Sequence, residues 1–105
     1  MSEDSQILIP PSFVALYVPP GRIKPTLPRD EMAQRYELCE DMAQMLTETA
    51  STLLVTLGIT EHDVLLRVRQ GLLTDPTVLS ADEAGWVVSR LGELLNWPAL
   101  TTLAE

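Results

Sequence analysis

Residues 32–57 read MAQRYELCEDMAQMLTETASTLLVTL, and their apolar pattern predicts the longest helix of the chain. Its apolar residues recur at alternating steps of four and three, which places them along one face of an α-helix. This apolar stripe consists of Met32, Tyr36, Cys39, Ala43, Leu46, Ala50, Leu53 and Leu57. Pro28 suits the first turn of a helix and Gly58 suits the position after its last turn. We therefore predict one helix of about 30 residues, ~45 Å long.

Two shorter helices are predicted after Gly58. Thr60 and Asp63 form a capping pattern before the second helix, and Ser80 and Glu83 form a capping box before the third. The second helix is expected to stop before Pro76 and the third at Asn96. Their expected core faces are Val64, Leu65, Val68 and Leu72 in the second helix and Val87, Leu91 and Leu94 in the third.

The lengths of these helices pose a packing problem. Each shorter helix has about 14 residues and spans ~21 Å, so neither covers the first helix along its whole length. Three solutions remain open at this point: the first helix bends, the N-terminal segment covers one end of the stripe, or a second copy of the chain covers part of it.

Residues 1–28 form an apolar, proline-rich arm. The pairs Pro10-Pro11 and Pro19-Pro20 favour extended backbone, whereas the seven residues between them, SFVALYV, fit either a strand or a short helix. We predict an all-α fold: a three-helix bundle with one long first helix and an extended Pro-rich N-terminal arm. The expected domains are the arm at 1–28 and a helical domain at 29–105.

The composition of the chain excludes several kinds of stabilising and binding site. The chain has 105 residues, 15 acidic and 7 basic, with a net charge of −8 and one cysteine and one histidine. No intrachain disulfide or cluster of cysteine and histidine around a metal is therefore possible. The N-terminus lacks the basic segment of a signal peptide, and its apolar stretch is too short to span a membrane. We expect a cytoplasmic protein.

Basic residues concentrate in residues 22–35, which contain Arg22, Lys24, Arg29 and Arg35. Solvated side chains near a helix start explain this cluster most simply. A contact with a nucleic acid is the alternative, against which the acidic net charge argues, because it repels a phosphate backbone.

Candidate catalytic residues are few. Cys39 lies in the apolar stripe and is expected to be buried, while His62 lies in the first turn of the second helix and is expected to be exposed. The acidic residues Glu37, Glu40 and Asp41 fit a solvated helix face better than acid–base catalysis or metal binding. A small enzyme using Cys39 is therefore the least favoured function, and we predict no catalytic, cofactor-binding or metal-binding residues.

The five glycines form neither a GxxxxGK[ST] nor a GxGxxG motif, so a phosphate-binding loop is absent. Gly85 and Gly92 fall inside the third predicted helix, where each costs about 1 kcal/mol relative to alanine. Close packing of another backbone is the expected reason for their presence.

Four segments carry a resemblance to a known family: IPPSFVALYVPPGRIKPTLPR, RYELCEDMAQML, GITEHDVLLRVRQGLL and WVVSRLGELLNWP. Together they resemble a small uncharacterised family of short proteobacterial proteins, whose members are often labelled "ATPase with chaperone activity". The ATPase motif is missing here, so that label is not transferred. The resemblance implies a bacterial cytoplasmic protein in which the arm and the first helix belong to one unit.

From these observations we predict a small acidic protein-interaction or adaptor module that lacks catalytic activity. Its expected partner is another protein, and a homodimer is left open. The residues expected to line the contact surface are Phe13, Leu16, Tyr17, Tyr36 and Trp97.

Overall fold

The computed structural model describes residues 8–97, and every regular element among them is helical. The elements are α1 (Pro11–Val14), a 3₁₀ helix (Ala15–Tyr17), α2 (Arg29–Leu57), α3 (Glu61–Leu72) and α4 (Ala81–Leu95). The all-α prediction is confirmed, although residues 8–97 contain two short helical segments, α1 and the 3₁₀ helix, besides the three predicted helices. Contacts divide the chain into two compact units, which meet in sequence between Leu38 and Cys39. The predicted domains, 1–28 and 29–105, stay a prediction.

The N-terminal arm is not extended between its proline pairs, which corrects the prediction for residues 11–17. The backbone N–H groups of Phe13 and Val14 donate to the carbonyl of Pro10 at 2.9 and 3.1 Å. Pro11 stands at the start of α1, where its missing N–H costs no helical hydrogen bond and its fixed φ already suits the helix. The first proline pair therefore starts a helix.

A loop of residues 18–28 connects the 3₁₀ helix to α2. Its turn is closed by a hydrogen bond of 3.1 Å from the Arg22 N–H to the Pro19 carbonyl. Gly21 has a φ of 78°, which a side chain would strain. Thr26 donates to the Tyr17 carbonyl through its N–H at 2.8 Å and its hydroxyl at 3.1 Å. These bonds hold the base of the loop.

Helix α2 begins and ends where the sequence predicts. The Met32 N–H donates to the Pro28 carbonyl at 2.8 Å, and Gly58 follows the last turn with a φ of 63°. Asp30 and Glu31 lie in the first turn, next to the positive end of the helix dipole.

The apolar stripe is the buried face of α2 along most of its length. Met32, Cys39, Ala43 and Ala50 are buried. Leu57, the last stripe residue, is 46% exposed and departs from the pattern, because the helix ends there. The other members, Tyr36, Leu46 and Leu53, are half-buried.

The caps of α3 and α4 follow the predicted pattern. The Thr60 hydroxyl accepts a hydrogen bond of 3.1 Å from the Asp63 N–H. Both bonds of the capping box are present between Ser80 and Glu83, at 2.9 and 3.1 Å. Asn96 ends α4 in the left-handed region with a φ of 62°.

The second unit has an aliphatic core to which α2, α3 and α4 all contribute. We call these buried residues the second-unit core: Ala50, Val64, Leu65, Val68, Val88 and Leu91. Leu46, Leu53 and Leu54 of α2 pack against it. In the first unit, Phe13 packs against Tyr36 of the stripe. Within the first unit the N-terminal segment thus contacts the stripe at Tyr36, and within the second unit α3 and α4 pack against it.

Gly85 departs from its prediction, because a Cβ atom built there would meet nothing within 4 Å. The expected close backbone is absent, and the glycine only weakens α4. We expect Gly85→Ala to raise the free energy of unfolding by about 0.5–1 kcal/mol in urea denaturation. As a matched control, Gly58→Ala should lower it by about 1 kcal/mol, because Gly58 has a positive φ. A stabilising Gly58→Ala would contradict this assignment.

Candidate functional site

Three of the five predicted contact residues meet in the first unit. The Phe13 ring lies edge-on to Tyr17, with centroids 5.4 Å apart and planes at 62°, and edge-on to Tyr36, at 5.6 Å and 66°. This geometry is a favoured arrangement of aromatic pairs. Phe13 itself is 0% exposed, so its ring stabilises this unit and offers no free surface. Leu16, Tyr17 and Tyr36 are half-buried.

Trp97 belongs to the second unit. It is half-buried and packs against the second-unit core beyond the C-terminal cap of α4. The Trp97 N–H donates to the Gly92 carbonyl at 2.8 Å, as in a Schellman-type helix end. These contacts give Trp97 a structural position. A role of Leu16, Tyr17, Tyr36 or Trp97 in partner binding stays a prediction.

The basic residues of the first unit differ in exposure. Arg22, Lys24 and Arg29 are exposed, whereas Arg35 in α2 is half-buried. Residues 5–29 contain three of these cations and no acidic residue, in a chain whose net charge is −8. The loop before α2 is therefore locally positive.

An exposed isoleucine stands in the middle of this basic loop. Ile23 is 92% exposed, the highest value among the large apolar side chains that the structure describes as exposed. Arg22 and Lys24 flank it, and neither forms an ion pair with another described residue. We call Arg22, Ile23 and Lys24 the loop tip. Sequence reasoning missed Ile23, although the pattern of one apolar residue between two cations after a Pro-Pro-Gly turn was visible.

The side chains considered for catalysis differ in their burial. Cys39 is buried with 0% exposure, as predicted, so a substrate cannot reach its thiol in this conformation. His62 is half-buried, which corrects the prediction that it is exposed. Within residues 8–97, no group of three or more histidine, cysteine or acidic residues is arranged to hold a metal ion.

Glu40, one of the acidic residues considered for catalysis, is a structural ion-pair partner. Arg90 of α4 donates to its carboxylate through Nε at 2.9 Å and Nη2 at 3.1 Å, and Gln44 donates to it at 2.8 Å. The hydrogen bond from Arg90 lowers the pKa of Glu40, opposed by partial burial. The same bond raises the pKa of Arg90. The fork geometry ties α4 to α2 within the second unit.

This pair predicts a pH-dependent stability. Folding makes Glu40 a stronger acid, so its stabilising contribution is complete above its ordinary pKa of 4.5 and is lost as the pH falls through the lower folded value. Arg90 keeps 33% of its side chain exposed, and solvent weakens the pair. We expect Glu40→Gln to cost about 1 kcal/mol at pH 7 and less at pH 3, in urea denaturation.

Glu37→Gln is the matched control, because Glu37 is exposed on the same helix. It should change the free energy of unfolding by less than about 0.5 kcal/mol at both pH values. An equal loss in Glu40→Gln at pH 7 and pH 3 would show that the charge of Glu40 is not what stabilises the fold.

The C-terminal half of α2 has an exposed face that is almost uncharged. Met45 is 70% exposed and Val55 is 81% exposed. Between residues 42 and 57 the sequence has one charged residue, Glu48. A shallow depression on this half is lined by Glu48, Thr49, Thr52 and Leu53. We call it the α2 depression.

Comparison with other proteins and with membrane-spanning helices adds two findings. Among residues 8–97, none of the helices combines the length and the apolar character needed to cross a bilayer. The chain matches no protein-family model, no curated protein and no solved structure.

Proposed function

We propose that this chain is a small protein-interaction module without catalytic activity. The observation that supports the proposal most is the loop tip, where an isoleucine that is 92% exposed stands between two cations. Leaving such a side chain in water adds nothing to folding, whereas a protein interface commonly has an apolar centre surrounded by a polar rim. In the second unit, Met45 and Val55 of α2 are further exposed apolar side chains.

The burial of Cys39 and the pairing of Glu40 with Arg90 favour this function over catalysis. Of the side chains that sequence reasoning considered for chemistry, Cys39 is buried and Glu40 is bound to Arg90. The binding residues proposed first are therefore Arg22, Ile23 and Lys24, with Leu16, Tyr17, Tyr36 and Trp97 kept as candidates.

Affinity capture from the source cell tests the module. The full chain is compared with Ile23→Ser, which leaves the packed residues untouched, and with Val78→Ser, a control at a residue that is 43% exposed. We expect the wild type and Val78→Ser to retain the same cellular protein. In purified form, that protein should bind the wild type directly and bind Ile23→Ser about tenfold more weakly. Equal binding by all three chains would remove the loop tip from the function.

Contact with nucleic acid through residues 22–35 is the alternative, supported by the exposure of Arg22, Lys24 and Arg29. Fluorescence anisotropy with labelled RNA and duplex DNA distinguishes it. Our proposal predicts no binding at about 0.15 M salt, because the net charge of −8 repels the backbone. Binding that Arg22→Glu and Lys24→Glu abolish would favour the alternative.

The proposal also covers the location, the family, the architecture and the assembly of the chain. They comprise a cytoplasmic location, membership of the proteobacterial family that the sequence resembles, a bundle of three main helices and self-association as a homodimer. The bundle is supported by the second-unit core, to which three helices contribute.

A further inference from the structure

We propose that the loop tip of one copy docks into the α2 depression of a second copy of this chain. The inference rests on the protein-binding function proposed above and names the partner as another molecule of the same protein. Two surfaces of complementary chemistry carry it: an apolar residue between cations, and an open depression beside a carboxylate.

The loop tip is suited to act as an anchor because its backbone is already ordered. The Pro19–Arg22 hydrogen bond closes the turn before it, and Thr26 holds the base of the loop to the Tyr17 carbonyl. Ile23 is therefore presented by a structured loop, and less conformational entropy is lost when it binds.

The α2 depression offers what such an anchor needs. Leu53 provides an apolar contact for Ile23, and Thr49 and Thr52 are uncharged neighbours. Glu48 is exposed and has no ion pair with another described residue, so its carboxylate is available to Arg22 or Lys24. An apolar centre with charges at its edge is the usual organisation of a binding hot spot.

The charge distribution favours a second copy as the occupant. Two molecules of net charge −8 repel each other, and this repulsion is weakest between surfaces where acidic residues are scarce. Residues 5–29 contain no acidic residue, and residues 42–57 contain Glu48 alone. The loop tip and the α2 depression lie within these two stretches, and their charges are opposite.

Sedimentation equilibrium of the full chain tests the contact. At about 0.15 M salt, we expect the weight-average mass to rise above 11.6 kDa between micromolar and millimolar concentration. Ile23→Ser should weaken association about tenfold, because it removes the apolar anchor. Glu48→Lys should weaken association about threefold or more, and so should the double change Arg22→Glu with Lys24→Glu. Combining all three charge reversals should restore association above that of either partial variant.

The double variant Arg67→Glu with Arg69→Glu is the matched control. It changes the net charge by the same amount as Arg22→Glu with Lys24→Glu, but on exposed residues of α3. We expect it to associate as strongly as the wild type. Circular dichroism confirms that each variant is folded. A mass of one chain at every concentration, or charge reversals that do not compensate each other, would overturn the inference.

Two further probes separate this inference from the function on which it rests. Binding of the loop tip to anionic phospholipid vesicles or to labelled RNA, without self-association, would assign the tip to those ligands and overturn docking between copies. If the chain stays monomeric while Ile23→Ser still loses a captured protein, the second copy is the wrong partner and the protein-binding function stands.

Discussion

Replacing Leu91 by alanine is expected to lower the free energy of unfolding by about 3 kcal/mol, the largest loss that we expect in the second unit. Leu91 lies in α4, is 0% exposed and belongs to the second-unit core. The substitution removes buried apolar groups and leaves a cavity that the surrounding helices fill only in part. Urea denaturation followed by tryptophan fluorescence measures it, because Trp86 and Trp97 both lie in this unit.

Leu57→Ala is the control for this prediction. It makes the same chemical change in a side chain that is 46% exposed, so the expected loss is below about 1 kcal/mol. Equal losses in the two variants would mean that the burial of Leu91 does not stabilise the folded chain.

Phe13→Ala is expected to cost a similar amount, about 3 kcal/mol. Its ring is 0% exposed and lies edge-on to both Tyr17 and Tyr36. The substitution therefore removes both aromatic contacts as well as the buried apolar area of the ring. Circular dichroism follows the helices of both units during urea denaturation, whereas tryptophan fluorescence follows the second unit. Comparing the two curves shows whether the loss is confined to the first unit.

Phe13→Leu and Leu8→Ala are the controls for Phe13→Ala. Phe13→Leu keeps an apolar side chain and should lose less than Phe13→Ala, because most of the buried volume remains. Leu8 is 85% exposed, and its replacement should change the free energy of unfolding by less than about 0.5 kcal/mol. If Phe13→Ala behaves like Leu8→Ala, the aromatic cluster does not hold the N-terminal segment.

Local patterns predicted the main helices well. The bounds of α2 follow from Pro28 and Gly58, and those of α4 from the Ser80–Glu83 box and Asn96. Each of these signals acts within one or two turns of a helix, because a cap satisfies backbone groups only a few residues away. Such short-range effects can be evaluated from neighbouring residues alone.

The N-terminal segment was harder to predict because it is short. Seven residues between proline pairs fit the period of a strand and that of a helix equally well, and the proline pairs themselves favour extended backbone. The structure forms α1 and the 3₁₀ helix there, with Phe13 buried against Tyr36. These two residues are far apart in sequence, and no local pattern indicates their contact.

The candidate site shows the same limit. The sequence predicts Phe13, Leu16, Tyr17, Tyr36 and Trp97 as contact residues, yet Phe13 is buried and Trp97 packs against the second-unit core. Ile23 was overlooked, since its sequence neighbours do not reveal that it is 92% exposed. Exposure depends on which segments pack around a residue.

Local sequence patterns are enough to predict the helical class, the length and ends of α2, the burial of Cys39 and the acidic character of the chain. Periodicity, caps and charge are properties of neighbouring residues, so they can be evaluated without knowing the fold. The packed fold is needed to see that Glu40 pairs with Arg90, that Phe13 is buried and that Ile23 is exposed. Those outcomes depend on contacts between distant residues, which form only when packing brings the helices and loops together.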